Sequence, residues 1–238
     1  MSKILLDIYG YCEASDPINK RGKNRYDVSL SNKIRDINPI NIMQFERGHD
    51  FCFASIEKKR LVINFQGSDD ILDSINNFKF SRCDNGDIHV GFKITFDKFK
   101  RDIHKILRSY EDYCGRQEAI PTKQIVCCGH SRGGALAIVC SYYIAKAFGY
   151  QVDCIPYGSP KPGGKKFRDA FCKLPIHCTR VFIRRDPVTW LPFRSTGHRH
   201  VGFDKPLPRK WWHYIPGTGK RIHTGYLKAI EDYYKHKK

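Results

Sequence analysis

Residues 124–139 read QIVCCGHSRGGALAIV, and the fold is decided there. Ile125-Val126-Cys127-Cys128 has the length of a buried strand, while ALAIVCSYYIAKAF, from Ala135 to Phe148, has the length of an apolar helix. Between them stands Gly129-His130-Ser131-Arg132-Gly133, a G-x-S-x-G pattern in the strand–turn–helix setting of a nucleophile elbow. A serine in that turn is strained, and the flanking positions are glycine because a Cβ there would collide with neighbouring backbone. Ser131 then projects at a helix N-terminus, where backbone N–H groups and the helix dipole favour developing negative charge. The alternative is a glycine-eased turn with Ser131 as a simple helix N-cap. The short pattern recurs by chance, so its weight comes from the flanking elements and from whatever else of a triad the chain holds.

Outward from this turn, strands alternate with helices. QVDCIPYG (151–158) and TRVFIR (179–184) read as strands, KKFRDAF (165–171) as a short helix, and TGYLKAIEDYYKH (224–236) as a closing helix. Residues 195–217 read as a hairpin and loop. Upstream, FCFASI (51–56) and RLVINF (60–65) suit a hairpin. Phe92, Phe96, Phe99, Ile103, Ile106, Leu107 and Tyr110 recur at three- and four-residue spacings, which predicts one long amphipathic helix over 89–110. The expectation is a single α/β domain over residues 1–238, an α/β-hydrolase fold with a mostly parallel central sheet flanked by helices.

A serine nucleophile needs a base, and the base needs an orienting carboxylate; in α/β hydrolases the chain order is serine, acid, histidine. Asp186 stands just past a strand, which Pro187 ends. Asp153 lies at the start of a strand, Asp169 within a helix and Asp204 in the irregular stretch, while Asp232 leaves too little chain after it. Among histidines after Ser131, His177 precedes Asp186 and is excluded by order. His223, in a loop directly before the closing helix, has the position of a base, whereas His198 and His200 suit structural or site-lining roles.

The chain carries 42 Lys and Arg against 24 Asp and Glu, a formal charge of +18, which attracts nucleic acid, an anionic membrane surface or an acidic substrate. No zinc-finger or RNA-binding signature accompanies the charge, which argues against nucleic acid. The 10 cysteines lie largely in apolar runs and form no C-x-x-C pair, so they read as reduced core residues and not as a metal site. Ile4-Leu5-Leu6 is too short for a signal-peptide core, and no membrane span is visible. Together these features predict a cytoplasmic protein, peripheral at membranes, with no cofactor or metal.

With those residues in view, the chain resembles the fungal-type, or class 3, lipases. VINFQGSDDILDSINNF (62–78) resembles the family's F-R-G-[ST] oxyanion segment, and IHVGF (88–92) its V-H-x-G-F helix start. GHSRGGALA (129–137) is similar to G-H-S-L-G-G-A-L-A, and YGSPKPGGKKF (157–167) to F-G-S-P-x-V-G-N-x-x-F. TRVFIRRDPVTWLPF (179–193) and HTGYL (223–227) resemble the segments bearing the acid and the base. The resemblance implies Ser131 as nucleophile, Asp186 as acid and His223 as base, with oxyanion donors from Ser68 and from the backbone N–H of Arg132. It also implies a lid over 69–80, bearing Ile71, Leu72, Ile75, Phe78 and Phe80, and a structural role for His200.

The chain departs from the family pattern. Arg132 replaces the usual leucine and places a cation where it could meet a phosphate or carboxylate, or else a local acid. Gln66 replaces arginine, Gly164 replaces asparagine, Pro187 an aliphatic residue, and Asp73-Ser74 the acidic–Trp pair of the lid. The implied activity is that of a carboxylic ester hydrolase acting on lipid esters, with a phospholipase variant suggested by the charge, Arg132, and the aromatics Trp190, Phe193, Trp211 and Trp212. A catalytically silent lipase-like scaffold, binding lipid or protein, is the alternative. No oligomeric state follows from the sequence.

Overall fold

The computed structural model describes residues 2–15, 34, 37–58, 60–67, 87–116, 124–208 and 219–235, with backbone alone at 2–6, 219–224, 234 and 235. In chain order the elements are α1 (Ser2–Ala14), β1 (Asn41–Arg47), β2 (Asp50–Ile56), β3 (Arg60–Phe65), α2 (Val90–Asp97), α3 (Lys100–Gly115), β4 (Gln124–His130) and α4 (Arg132–Phe148). They continue with β5 (Val152–Tyr157), β6 (Gly163–Gly164), α5 (Lys165–Phe171), β7 (Ile176–Ile183), β8 (His198–Arg199), β9 (Phe203–Leu207) and α6 (Gly219–Lys235). Seven strands form one sheet in the order β1-β2-β3-β4-β5-β7-β9, parallel from β3 onward, with β1 and β2 added antiparallel.

Alternation along each strand sends side chains to two helical layers. On β3, Leu61, Ile63 and Phe65 join Phe92, Phe99, Ile103 and Ile106 of the α2–α3 stretch and Leu136 of α4 in one buried cluster. Val62, Val126 and Cys128 point the other way, into a cluster with Ile8, Tyr9 and Tyr11 of α1 and Tyr226, Ala229 and Ile230 of α6. Five parallel strands therefore end at one edge of a sheet covered on both faces, where ligands of such folds bind.

Three expectations from the sequence are corrected. The helix expected over 89–110 is two helices, α2 and α3, because the Lys98 and Phe99 amides bond to carbonyls three residues back, Thr95 at 3.3 Å and Phe96 at 2.9 Å, which tightens the chain between them. The apolar spacing survives, since Phe92, Phe96, Phe99 and Ile103 are all buried. The described part of the 195–217 stretch, residues 195–208, forms no hairpin: β8 pairs with β6, while β9 adds parallel to β7 through Thr179↔Phe203 to Ile183↔Leu207. The closing helix begins at Gly219, so position 223 falls inside α6 and not in a loop before it. Residues 68–86 and 209–218, which include Ser68, the expected lid, Trp211 and Trp212, lie outside the described residues.

Two buried histidines, His89 and His198, and the half-buried His200 give the fold a defined response to acid. His89 caps α2, its Nδ1 accepting the Gly91 N–H at 3.1 Å, and its ring lies 5.3 Å from that of His198. The Nε2 of His200 faces the Thr189 carbonyl at 2.7 Å. Burial lowers His89 and His198 to about 4 and His200 to about 3, with neighbouring charges adding to the effect on the last two. Between about pH 6.5 and 4 the unfolded chain therefore binds more protons at these sites than the folded one. Their contribution is complete above the ordinary histidine range and is lost as pH falls. Urea midpoints should drop across that window, and His200→Gln should flatten the slope.

Candidate active site

The strand-to-helix turn at Ser131 is built as the glycines imply. Ser131 has φ 55 and ψ −124, backbone that a residue bearing a side chain rarely adopts. Gly133 lies against the end of β3 so closely that a Cβ there would sit 2.1 Å from the Phe65 carbonyl oxygen and 2.8 Å from Gln66. A Cβ on Gly129 would sit 2.4 Å from the Gly133 carbonyl, so neither position admits another residue without moving backbone. Ser131 caps α4 through no side-chain hydrogen bond, which removes the N-cap alternative. Its hydroxyl is thereby not committed to the helix end. The residue is only 5 % exposed.

Asp186 lies near this serine, reached through the end of β5. The Ser131 N–H donates to the Tyr157 carbonyl at 2.8 Å. At the next residue, Gly158, an added Cβ would stand 3.1 Å from Asp186 Oδ2 and 2.7 Å from the Tyr226 hydroxyl. Asp186 is buried, and its Oδ1 accepts the Val188 N–H at 3.0 Å. Burial pushes this carboxyl up from the ordinary aspartate range, and hydrogen bonds from Tyr226 and Val188 partly oppose the rise. Asp204, by contrast, pairs with Arg180 at 2.5 Å, Asp169 with Lys165 at 2.8 Å, and Asp153 faces His177 at 3.6 Å.

Tyr226 is a residue that reading the sequence named within a motif but gave no role. Its hydroxyl donates to Asp186 Oδ2 at 2.5 Å and also accepts the Ile183 N–H at 3.2 Å. Its ring packs edge-on at 5.1 Å against His130, the residue before Ser131. Helix α6 is thus fastened both to the acid and to the elbow. Position 223 precedes Tyr226 by three residues on α6, hence on the same helix face. The His223 side chain itself lies outside the described residues.

Arg132 does not turn toward the nucleophile. Its Nη2 pairs with Asp50 Oδ1 and stands 3.3 Å from Thr95 Oγ1, so of the two partners open to it the structure provides a local acid. Gly67 fills the remaining side of the turn: a Cβ on it would lie 3.8 Å from Ser131 Cβ. The chain leading to Ser68 is therefore in contact with the elbow. Trp190 and Phe193, just beyond Asp186, are 54 % and 47 % exposed, and so belong to the surface and not to the core.

A mostly parallel sheet between two helical layers, with this turn at its central strand, is the α/β-hydrolase architecture. Within that class, residues 62–196 match the family described as Lipase (class 3), and the chain belongs to that family. It is 31 % identical over 149 residues to the secreted mono- and diacylglycerol lipase 1 of Fusarium solani, covering 60 % of this chain and 43 % of that protein. The chain thus spans less than half the length of that relative. Among solved structures it is similar to Rhizomucor miehei lipase in its propeptide complex (TM-score 0.69, 19 % identity, 86 % of this chain and 68 % of that one). It is also similar to lipase II of Rhizopus niveus (TM-score 0.71, 17 % identity, 86 % and 80 %). A further similar structure is a triacylglycerol lipase whose catalytic centre is a serine protease triad (TM-score 0.65, 20 % identity, 87 % and 78 %).

The secreted relative corrects the expectation of a cytoplasmic protein. That expectation leaned on reading no signal-peptide core at Ile4-Leu5-Leu6 and no membrane span, and only secondarily on cysteine usage. Buried thiols such as Cys52, Cys127, Cys140 and Cys154 pack as small hydrophobes whatever compartment surrounds them.

Proposed function

We propose that the protein hydrolyses carboxylic esters of lipids, with Ser131 as nucleophile, His223 as base and Asp186 as the orienting acid. In this reading His223 takes the hydroxyl proton as Ser131 Oγ attacks the acyl carbonyl. The N–H groups of Ser68 and Arg132 receive the oxyanion. The alcohol then departs with the proton from His223. Water, activated by the same histidine, releases the acid and restores the serine. The observation that carries this is the convergence of a serine at φ 55 and a buried aspartate on the Tyr157–Gly158 chain segment. The mono- and diacylglycerol lipase named above favours glycerides as the ester class. We read residues 1–238 as one domain.

Contact with an anionic membrane surface belongs to the same proposal. It is supported by the +18 charge and by exposed Trp190 and Phe193 in a loop that also carries exposed Arg194. Co-sedimentation with phosphatidylglycerol vesicles that weakens with salt is the expected behaviour.

The test of function is a fluorophosphonate probe on wild type and on Ser131→Ala, followed by a panel of glyceride, phospholipid and p-nitrophenyl esters. Labelling of the wild type alone, at Ser131, is expected. An unlabelled, folded wild type that still binds lipid would establish the silent scaffold instead.

A further inference from the structure

Asp50 opens β2 at the same sheet edge as Ser131, because β2 runs antiparallel to β3 and Cys52 stands opposite Phe65 at the end of β3. Two connections leave this point. The Phe51 carbonyl accepts the Gln66 N–H at 3.0 Å, two residues before Ser68. The Asp50 carboxylate, 7 % exposed, takes the Arg132 guanidinium on Oδ1 and Lys98 Nζ at 2.8 Å on Oδ2. Burial alone would push this carboxyl up, but the hydrogen bonds and charges of Arg132 and Lys98 outweigh it and hold it below the usual aspartate range. Residues 50 and 51 therefore grip both chain segments assigned to the oxyanion, one by main chain and the other by side chain. Where those segments meet, a Cβ on Gly67 would be 3.0 Å from the His130 carbonyl, which leaves no slack on the inner side.

We propose that Asp50 and Arg132 are a positioning pair that fixes the main-chain N–H of Arg132 relative to Gln66–Gly67 at the end of β3, and so holds the oxyanion side of the site ready before substrate arrives. The inference rests on the hydrolase reading above. It follows from how narrow the tolerance is: donors must be held to about 0.5 Å, and a displacement of about 1 Å can cost about 100-fold in rate. The Arg132 amide opens α4 directly beside the strained serine, and its own side chain is the tether. Lys98 neutralises the same carboxylate, but its side chain is 46 % exposed and anchors neither donor.

The test uses the full chain and a soluble short-chain ester, with active sites counted by fluorophosphonate end-point so that only folded enzyme enters kcat. Asp50→Asn and Arg132→Leu should each lower kcat about tenfold or more, with KM within about twofold of wild type. A boronic acid that presents a tetrahedral oxygen to the site should bind correspondingly more weakly. The double variant should be no slower than the slower single one, because both remove the same link. Arg132→Lys should recover part of the loss, and Lys98→Ala should keep wild-type kcat.

Wild-type kcat in Asp50→Asn and Arg132→Leu, with only a lowered melting temperature, would make the pair purely structural and overturn the proposal. So would a Lys98→Ala variant as slow as the other two. If Asp50→Asn does not fold, the comparison of Arg132→Leu with Arg132→Lys decides, since equal wild-type kcat in both is the overturning result. An inactive, unlabelled wild type would instead bring down the hydrolase reading and this inference with it.

Discussion

Ser131→Ala is expected to lower kcat/KM by about 10⁵-fold or more while the protein stays folded, and Ser131→Gly to be equally inactive but more stable than the alanine variant. The first part follows from the proposed mechanism: with no Oγ there is no acyl-enzyme, and only the proposed oxyanion donors and substrate positioning remain. The second follows from the backbone. At φ 55 and ψ −124 a residue with a Cβ carries strain on the order of 1–3 kcal/mol, which alanine keeps and glycine releases. Glycine loses about 0.5–1 kcal/mol of that gain to its greater freedom in the unfolded chain. A net gain of about 1 kcal/mol corresponds to a melting temperature higher by about 2–4 °C in a protein of this size. Thermal melts followed by circular dichroism on the two inactive variants make the comparison free of any change in chemistry. A glycine variant no more stable than the alanine one would mean that the turn is not strained.

The parts legible in the sequence are those whose signal is local. The β4–elbow–α4 unit shows because a short apolar run, two indispensable glycines and a long apolar run are consecutive. Asp186 shows because it follows the apolar run of β7 and precedes Pro187, which opens the next turn, and acids just past strand ends face the site. Other elements carry no such signal. β8 is two residues long and has no period to detect, while β9, FDKPL, mixes Pro206 and two charges into an edge strand, which masks its parallel pairing with β7. α1 differs: Ile8, Tyr9, Tyr11 and Cys12, all buried, share one helix face at i, i+1, i+3 and i+4, a helical period that runs for little more than one turn.

The site divides in the same way. Ser131 and Asp186 can be read from what surrounds them in the chain, but the Asp50–Arg132 pair joins residues 82 apart, and nothing at either position announces the other. Only the departure at position 132, a cation where the family carries leucine, hinted that some partner was required. Tyr226 was visible in HTGYL as a pattern. Its role depends on a helix turn that brings its hydroxyl to a carboxylate 40 residues earlier, and that distance is set by tertiary packing of α6 on β7.

Asp186→Asn is expected to lower kcat by about 10⁴-fold with little change in KM, and Tyr226→Phe by a much smaller factor of about tenfold. The amide keeps the shape of the side chain and can still accept from Tyr226 or from the Val188 N–H, so the fold is retained. In the proposed mechanism it cannot stabilise the His223 imidazolium, and its NH₂ group opposes the tautomer that mechanism requires. The tyrosine acts one step behind. Burial holds the Tyr226 hydroxyl well above its ordinary range, and the Asp186 charge adds to this, so it remains a donor throughout the working pH range. Its removal withdraws one of the two hydrogen bonds that oppose the burial-driven rise of the Asp186 carboxyl. That carboxyl should then protonate at higher pH, and the acidic limb of the kcat/KM profile should move toward neutrality in Tyr226→Phe. A Tyr226→Phe profile that overlays the wild type would show that the hydroxyl serves packing alone. An Asp186→Asn enzyme of wild-type kcat would transfer the orienting role to another acid.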